Sequence, residues 1–382
     1  MTISEYGSIF SIVIFGYLLF PGVVLGCLGR SIKYYAILIS LPILYLLMGK
    51  TKSEYFIVFL VFEYLLILAY QYIKKKSDNE KFYYLIIFLS FIPIVYAKLA
   101  PAVYWHIYEV LGISYMCFRI WQTMIEIHDG HITELKKLDL LYFITFFPTI
   151  SSGPIDRYNR FIEDANKKLA SSEYINNYLC KGLHKIFWGL VYKFGIANLI
   201  NLYILSKIPE QITFLRAVKY MYTYTFYLFF DFAGYSLLAI GTGYLLGIMV
   251  PENFNKPFLA KNMKDFWERW HISLSKWFGD YLFSRFVLNA LRNKWVVKQS
   301  TATRLGYMFS MTVMGIWHGV TLYYVLYGIY QGLALMLTDI YLKSKTYRKQ
   351  MKQKHYTLIS RIVCFHIVAF GLLLFSGYLI KI

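Results

Sequence analysis

Apolar residues in this chain come in long unbroken runs, with the charged residues standing between them. The runs cover 8–28, 34–48, 55–73, 82–96, a more polar stretch at 103–125, then 140–150, 178–205, 220–251, 305–338 and 358–378. A helix that crosses hydrocarbon ~30 Å thick needs about 20 mostly apolar residues, because in lipid every backbone N–H and C=O must bond within its own segment. Several runs meet or approach that length, and 220–251 and 305–338 are each long enough for one span and much of a second. The pattern predicts an all-α polytopic membrane protein with about 11 helices, some of them short or re-entrant. The run at 178–205 carries Lys181, His184, Lys185 and Lys193, which predicts that it faces protein and not lipid. The first run lacks a basic segment ahead of it and is followed at once by further membrane segments, so it reads as a span and not as a cleaved signal. If Lys74, Lys75 and Lys76 mark a cytoplasmic loop, the amino terminus is outside.

Composition agrees with the pattern: 58% of residues are hydrophobic, 20% aromatic and only 16% charged, with a mean hydropathy of +0.47. A soluble globule, a disordered chain and a coiled coil are excluded on those grounds. Lys and Arg number 40 against 21 Asp and Glu, a net charge of +19. In a membrane protein this excess first means basic loops held on the cytoplasmic side, and a nucleic-acid partner is not expected because there is no soluble basic domain. Cys27, Cys117, Cys180 and Cys364 lie far apart in or beside apolar stretches, so they read as small core residues and not as a metal site or disulfide framework. No repeat of about 20–50 residues recurs, and the chain reads as one membrane domain over 1–382. The longest polar segments, 156–173 and the basic 343–354, read as linkers or partner contacts.

The motifs of common soluble enzymes are missing: no Walker A loop, no HExxH, and no His followed five residues later by Asp. Gly234-Tyr235-Ser236-Leu237-Leu238 begins like a nucleophile elbow but lacks the closing glycine, which argues against a serine hydrolase. Ionisable residues inside the apolar runs remain. His318 stands in Met314-Gly315-Ile316-Trp317-His318-Gly319, within a run that has no Lys, Arg, Asp or Glu. It is either a catalytic group or a neutral histidine bonding across helices, and Gly315 and Gly319 form a small-xxx-small pair that admits a close neighbour. His271 shares a helical face with Trp267, Trp270, Leu274, Trp277 and Phe278, which fits aromatic packing as well as a site. Asp231 has several possible partners, among which pairing with a basic side chain is favoured.

The segment 281–298 is amphipathic. Leu282, Phe283, Phe286, Val287, Ala290 and Leu291 lie on one side, with Ser284, Arg285, Asn289, Arg292 and Asn293 on the other. It is too polar to span. It reads either as an interfacial anchor or as a docking surface for an acidic soluble partner, with Phe286, Val287, Leu288 and Leu291 at its apolar centre and Arg285 and Arg292 on its basic rim.

Four strings carry a resemblance to a known family: Asp231-Phe232-Ala233-Gly234-Tyr235-Ser236, Asn253-Phe254-Asn255-Lys256-Pro257-Phe258, Phe266-Trp267-Glu268-Arg269-Trp270-His271-Ile272-Ser273-Leu274-Ser275, and the string around His318. Together with Leu111-Gly112-Ile113-Ser114-Tyr115 and Thr149-Ile150-Ser151-Ser152-Gly153-Pro154-Ile155-Asp156-Arg157, they resemble the membrane-bound O-acyltransferase (MBOAT) family over about 100–342. Within it the likeness is to the Dlt branch that takes part in D-alanylation of teichoic acid in Gram-positive-type plasma membranes. The resemblance implies a ring of helices with short interfacial helices around a central tunnel, His318 as catalytic histidine and His271 as a second polar position. Asp231, Trp270 and Trp317 would then line the tunnel.

It further implies D-alanine held as a phosphopantetheine thioester on a D-alanyl carrier protein, teichoic acid as the final acceptor, and other Dlt membrane proteins as companions. The chain itself is expected to hold no cofactor and no metal. One position departs from the family pattern: Gly279, in Trp277-Phe278-Gly279-Asp280-Tyr281, stands where an arginine is usual. Two rivals stay open, an MBOAT that O-acetylates a polysaccharide and a transporter or flippase using the intramembrane His and Asp as a proton relay.

Overall fold

The computed structural model describes residues 9–99, 112–209 and 211–380, and its described residues are almost entirely helical. The part of the predicted 103–125 stretch before Gly112, with Leu111 of the resemblance, lies outside the described residues. In chain order the helices are α1 (Ile9–Cys27), α2 (Lys33–Lys76), α3 (Glu80–Leu99), α4 (Ile113–His128), α5 (Lys137–Thr145), α6 (Tyr158–Asn166), α7 (Ser171–Lys207) and α8 (Phe214–Leu245). Then follow α9 (Met263–Trp267), α10 (Ile272–Phe278), α11 (Ser284–Arg292), α12 (Gln299–His318), α13 (Leu322–Leu342), α14 (Lys345–Gln350) and α15 (Tyr356–Phe375).

Seven described helices are long and apolar enough to cross a membrane: the two halves of α2 (Lys33–Lys50 and Lys52–Lys76), Glu80–Lys98, α7, α8, α13 and α15. The halves of α2 correspond to the separate runs at 34–48 and 55–73. They part at Gly49, whose φ of 72° and ψ of 171° lie outside the helical region and suit a residue without a Cβ. α12 has 20 residues, about 30 Å at 1.5 Å each. Its first turns, with Gln299, Thr301, Thr303 and Arg304, make it more polar than those seven. Among the described residues the other helices, such as α1, α4, α5 and α12, are shorter or more polar than these seven, in keeping with an expectation of about 11 helices of which some are short or re-entrant.

α7 departs from its sequence reading. It is a long segment with two π-helical stretches, Tyr174–Leu179 and Val191–Ala197, and it is largely exposed, with Leu183, Phe187, Leu199, Leu202 and Tyr203 turned outward. Two of its cations are met locally: Lys181 bonds Asn177 at 2.9 Å and Lys193 bonds Asp231 at 2.6 Å. Charges in the run thus do not prevent an apolar, lipid-compatible face. Among the cysteines, Cys117 and Cys364 are buried as expected, while Cys180 on α7 is exposed.

The chain divides into two compact units. The first comprises Met1–Leu190 with Gly234–Pro251, the second Val191–Ala233 with Glu252–Ile382. In the first unit α4 buries most of its residues and carries Arg119 into the interior. The guanidinium donates to the carbonyls of Phe143 (3.0 Å), Ile144 (3.2 Å), Phe146 (3.2 Å) and Thr149 (2.8 Å), and to the Thr149 hydroxyl. A helix leaves its last carbonyls without intrahelical partners, and one cation here serves the end of α5 and the turn beyond it. Asp156, from the Ser-Ser-Gly-Pro-Ile-Asp-Arg string, pairs with Arg160, which also bonds Asp164 and the Met249 carbonyl. α7 and α8 approach closely: a Cβ on Gly241 would lie 2.6 Å from the Gly182 carbonyl oxygen.

In the second unit α12 and α13 form a tight hairpin. A Cβ on Gly315 would lie 2.9 Å from Gly328 Cα, and one on Gly328 would lie 2.6 Å from the Met311 carbonyl oxygen. The predicted close approach at Gly315 is realised, with Gly328 opposite it. At the far end of α13, Asp339 is buried and receives Lys264 (2.9 Å), Arg304 (3.2 Å) and Lys343 (2.9 Å), tying α9, α12 and α13 together.

Candidate active site

The second unit contains both candidate histidines. His271 sits where α9 gives way to α10, at a main-chain junction held by Asn253, Phe254 and Asn255. The Asn255 N–H donates to the Arg269 carbonyl (2.9 Å), the Ile272 N–H donates to the Asn253 carbonyl (3.0 Å), and Phe254 forms an antiparallel bridge with Trp270. Between these bonds His271 adopts φ 46° and ψ 50°, the left-handed region that non-glycine residues avoid at a cost of about 1–3 kcal/mol. The strain places the imidazole in the interior at the start of α10, not on the continuous aromatic stripe that helical periodicity predicted.

Asn253, fully buried, fixes the ring. Its Oδ1 accepts from the Ser273 N–H (3.2 Å) and the Ser273 hydroxyl (2.8 Å), and lies 3.2 Å from His271 Nδ1. A main-chain N–H can only donate, so the Asn253 atom at this point is an acceptor, and Nδ1 of neutral His271 must carry the hydrogen. Nε2 then holds the lone pair. Burial, with the nearby His318 imidazole adding to it, holds His271 well below the ordinary histidine range, so it is neutral at physiological pH. Phe232 packs edge-on against the His271 ring at 4.7 Å.

His318 is the last residue of α12. The chain turns through Gly319, Val320 and Thr321 and begins α13 at Leu322. The sequence sets this histidine inside one uncharged run, because glycine and threonine interrupt a helix without adding charge. The half-buried His318 ring is bordered by Trp317 (4.6 Å), Tyr324 (6.0 Å), Tyr327 (6.3 Å) and Phe375 (5.0 Å). A partly accessible imidazole in an aromatic wall suits proton transfer to or from a polar substrate.

The other predicted residues divide. Trp317 adjoins His318. Trp270 is buried among the rings of Phe254 (5.1 Å), Phe266 (5.6 Å) and Phe229 (6.2 Å), where it packs the junction. Asp231 is engaged by Lys193, the ion pairing that the sequence favoured. On the amphipathic segment, Phe286 stacks on Phe309 at 4.8 Å and Val287 lies against Gly306, so both face α12. Arg285 and Leu291 are half-buried, whereas Leu288 and Arg292 face outward together with Trp295 and Val297 just beyond the helix. The apolar stripe thus serves packing, and the outward face is Leu288, Arg292, Trp295 and Val297. Asn253 and Ser273 were legible only as part of a familiar string. No local signal links Asn253, eighteen positions away, to this histidine.

Fold and site define a polytopic helical membrane protein with a two-histidine centre. The model of the membrane-bound O-acyltransferase family, MBOAT, matches residues 124–380. The chain is 38% identical to the teichoic acid D-alanyltransferase of Bacillus subtilis (strain 168), over 98% of both chains. It is 34% identical to the protein of the same name from Streptococcus thermophilus, over 99% of this chain and 96% of the other. A shorter match, 30% identical over 62% of this chain and 44% of the other, is to the Pseudomonas aeruginosa protein named "Probable alginate O-acetylase AlgI". The chain belongs to the MBOAT family and is a membrane acyltransferase. The likeness extends beyond the 100–342 expected from motifs, into both the first hundred residues and the tail.

Proposed function

We propose that this chain transfers D-alanine in the D-alanylation of teichoic acid. The observation that carries the reading is a two-histidine centre in a chain alike over nearly its whole length to proteins named for that reaction, whereas the alginate O-acetylase likeness covers less than two thirds of it. The donor is D-alanine in thioester linkage to the phosphopantetheine arm of a cytoplasmic carrier protein. That arm reaches His318 through a passage in the membrane domain. His318 removes the proton from an acceptor hydroxyl as its oxygen attacks the thioester carbonyl. The tetrahedral adduct collapses to the ester, and the C–S electron pair leaves with the pantetheine sulfur, which takes up a proton. His271, neutral and held through Nδ1, presents Nε2 toward the same reaction. The carrier docks on the outward face of 281–298, by Leu288, Arg292, Trp295 and Val297.

The product places ammonium groups on a polyphosphate polymer, lowering its negative charge and its attraction for cationic peptides. The test is transfer of radiolabelled D-alanine from loaded carrier protein to membranes containing wild type or His318→Ala at equal expression. A positioned base is worth about 10²- to 10⁴-fold, so label should fall by that factor. Equal labelling by both proteins would end the base assignment, and labelling from an acetyl donor alone would favour polysaccharide O-acetylation.

A further inference from the structure

The first unit holds a polar cavity unconnected with the histidine chemistry. It has a volume of about 370 Å³ and lies where the end of α1, the start of α2, the end of α6 and the Leu246–Gly247 turn meet. Arg30, Lys33, Lys167 and Lys168 line it, with Asp164 as the acidic side chain among its lining residues. Lys33 is committed to Asp139 and Asn166, Lys167 to Glu173, and Asp164 to Arg160. Arg30 and Lys168 are exposed and make no ion pair among the described residues.

A second, independent feature points the same way. Tyr142 on α5 lines the cavity, its side chain is fully buried, and its phenolic oxygen has no hydrogen-bond partner. A buried hydroxyl without a partner costs about 1–3 kcal/mol, and such groups are seldom left so unless something occupies the space in front of them. An O–H donor and two uncommitted cations lining one cavity form a complementary set for a phosphate group.

We infer that this cavity binds the phosphate-bearing headgroup of an anionic membrane phospholipid. The position favours lipid over a soluble phosphate. The cavity opens at the start of α2 and just past the end of α8, both long and apolar enough to cross a membrane, and exposed Leu28 (63%) and Tyr34 (66%) stand beside it. Tyr34 and Leu28 sit at the level where headgroup gives way to acyl chain, a level that aromatic side chains favour. The phosphate lies between Arg30 and Lys168 and accepts from Tyr142, while the acyl chains run over the apolar rim.

The test uses the full chain, purified in detergent, with native mass spectrometry during titration with dioleoylphosphatidylglycerol or dioleoylphosphatidylcholine. Wild type should retain one phosphatidylglycerol in preference to phosphatidylcholine. Arg30→Ala/Lys168→Ala should weaken that retention about thirtyfold, as expected for two cations near an anionic lipid. Tyr142→Phe, which removes only the hydroxyl and keeps the ring packing, should weaken it about fivefold. Lys75→Ala/Lys76→Ala, equal in charge but outside the cavity, should leave it unchanged.

Equal retention of the two lipids by wild type, or equal loss in the two double variants, would overturn the inference. Inorganic phosphate at matched ionic strength forms a separate arm. If it displaced bound phosphatidylglycerol and raised the melting temperature of wild type but not of Arg30→Ala/Lys168→Ala, the cavity would be a soluble-phosphate site and the lipid assignment would fail. D-alanine transfer, measured in the same variants, keeps this result separate from the acyltransferase reading.

Discussion

Arg119 in the first unit and His271 in the second are both almost wholly buried, at 2% and 4% exposure, yet they are held in opposite ways. Arg119 spreads its donors over four main-chain carbonyls and a hydroxyl, and the backbone it serves is the end of a helix and the turn after it. His271 meets Asn253 Oδ1 through Nδ1, on a backbone strained into the left-handed region. A polar group whose donors are spread over main-chain carbonyls stabilises the fold, whereas a buried imidazole on a strained backbone marks a place where strain is kept for function.

Substitutions can separate these two modes. The largest effect is expected at Arg119. Arg119→Met leaves several buried carbonyls without donors at about 1–3 kcal/mol each, so little folded protein should be recovered by size-exclusion chromatography of detergent extracts. Recovery equal to wild type would remove the contrast. At the second centre, Asn253→Ala should fold yet lose transfer by about 10- to 100-fold, because the imidazole loses the partner that selects its tautomer. Asn253→Asp, which keeps an acceptor, should recover part of that loss, an outcome a purely structural asparagine would not give.

A smaller change is expected where charges converge without chemistry. Asp339→Asn should lower thermal stability by about 1–3 kcal/mol and leave transfer by the folded fraction near wild type, because the three cations it holds are partly exposed. On the outward face, Leu288→Asp should weaken capture of the carrier protein about tenfold with an unchanged melting temperature, whereas Val287→Asp should destabilise the protein by forcing a charge against α12. The smallest effect is expected at Gly279. Nothing lies within 4 Å of a Cβ built there, so Gly279→Arg should be accommodated and raise helix stability by about 1 kcal/mol or less. A change in carrier affinity in that variant would show that a positive charge at this position acts on the carrier.

Long apolar runs and the charges between them were enough to read a polytopic helical membrane protein, because the bilayer fixes the length and polarity of whatever crosses it. The runs also marked His318 and Asp231, since an ionisable group in an apolar run is conspicuous, and His271 stood out on an aromatic helical face. Within those runs only close packing decided the outcome. The hydropathy of 305–338 could not show that α12 stops at His318, because the break is made by Gly319 and by the fit of Gly315 against Gly328. Helical periodicity set His271 on an aromatic stripe, whereas main-chain bonds to Asn253 and Asn255 turn it aside.

The stripe of 281–298 was equally visible, but which of its faces met protein depended on α12 lying beneath Phe286 and Val287. Arg119 gave no sequence signal of its work, since the carbonyls it serves belong to another helix. The sequence alone determined the solvent this chain lives in and the groups costly enough there to need a purpose. Tertiary structure decided which of those groups are spent on holding the fold and which are left to react, because hydrogen-bond partners distant in sequence become known only when the backbone brings them together.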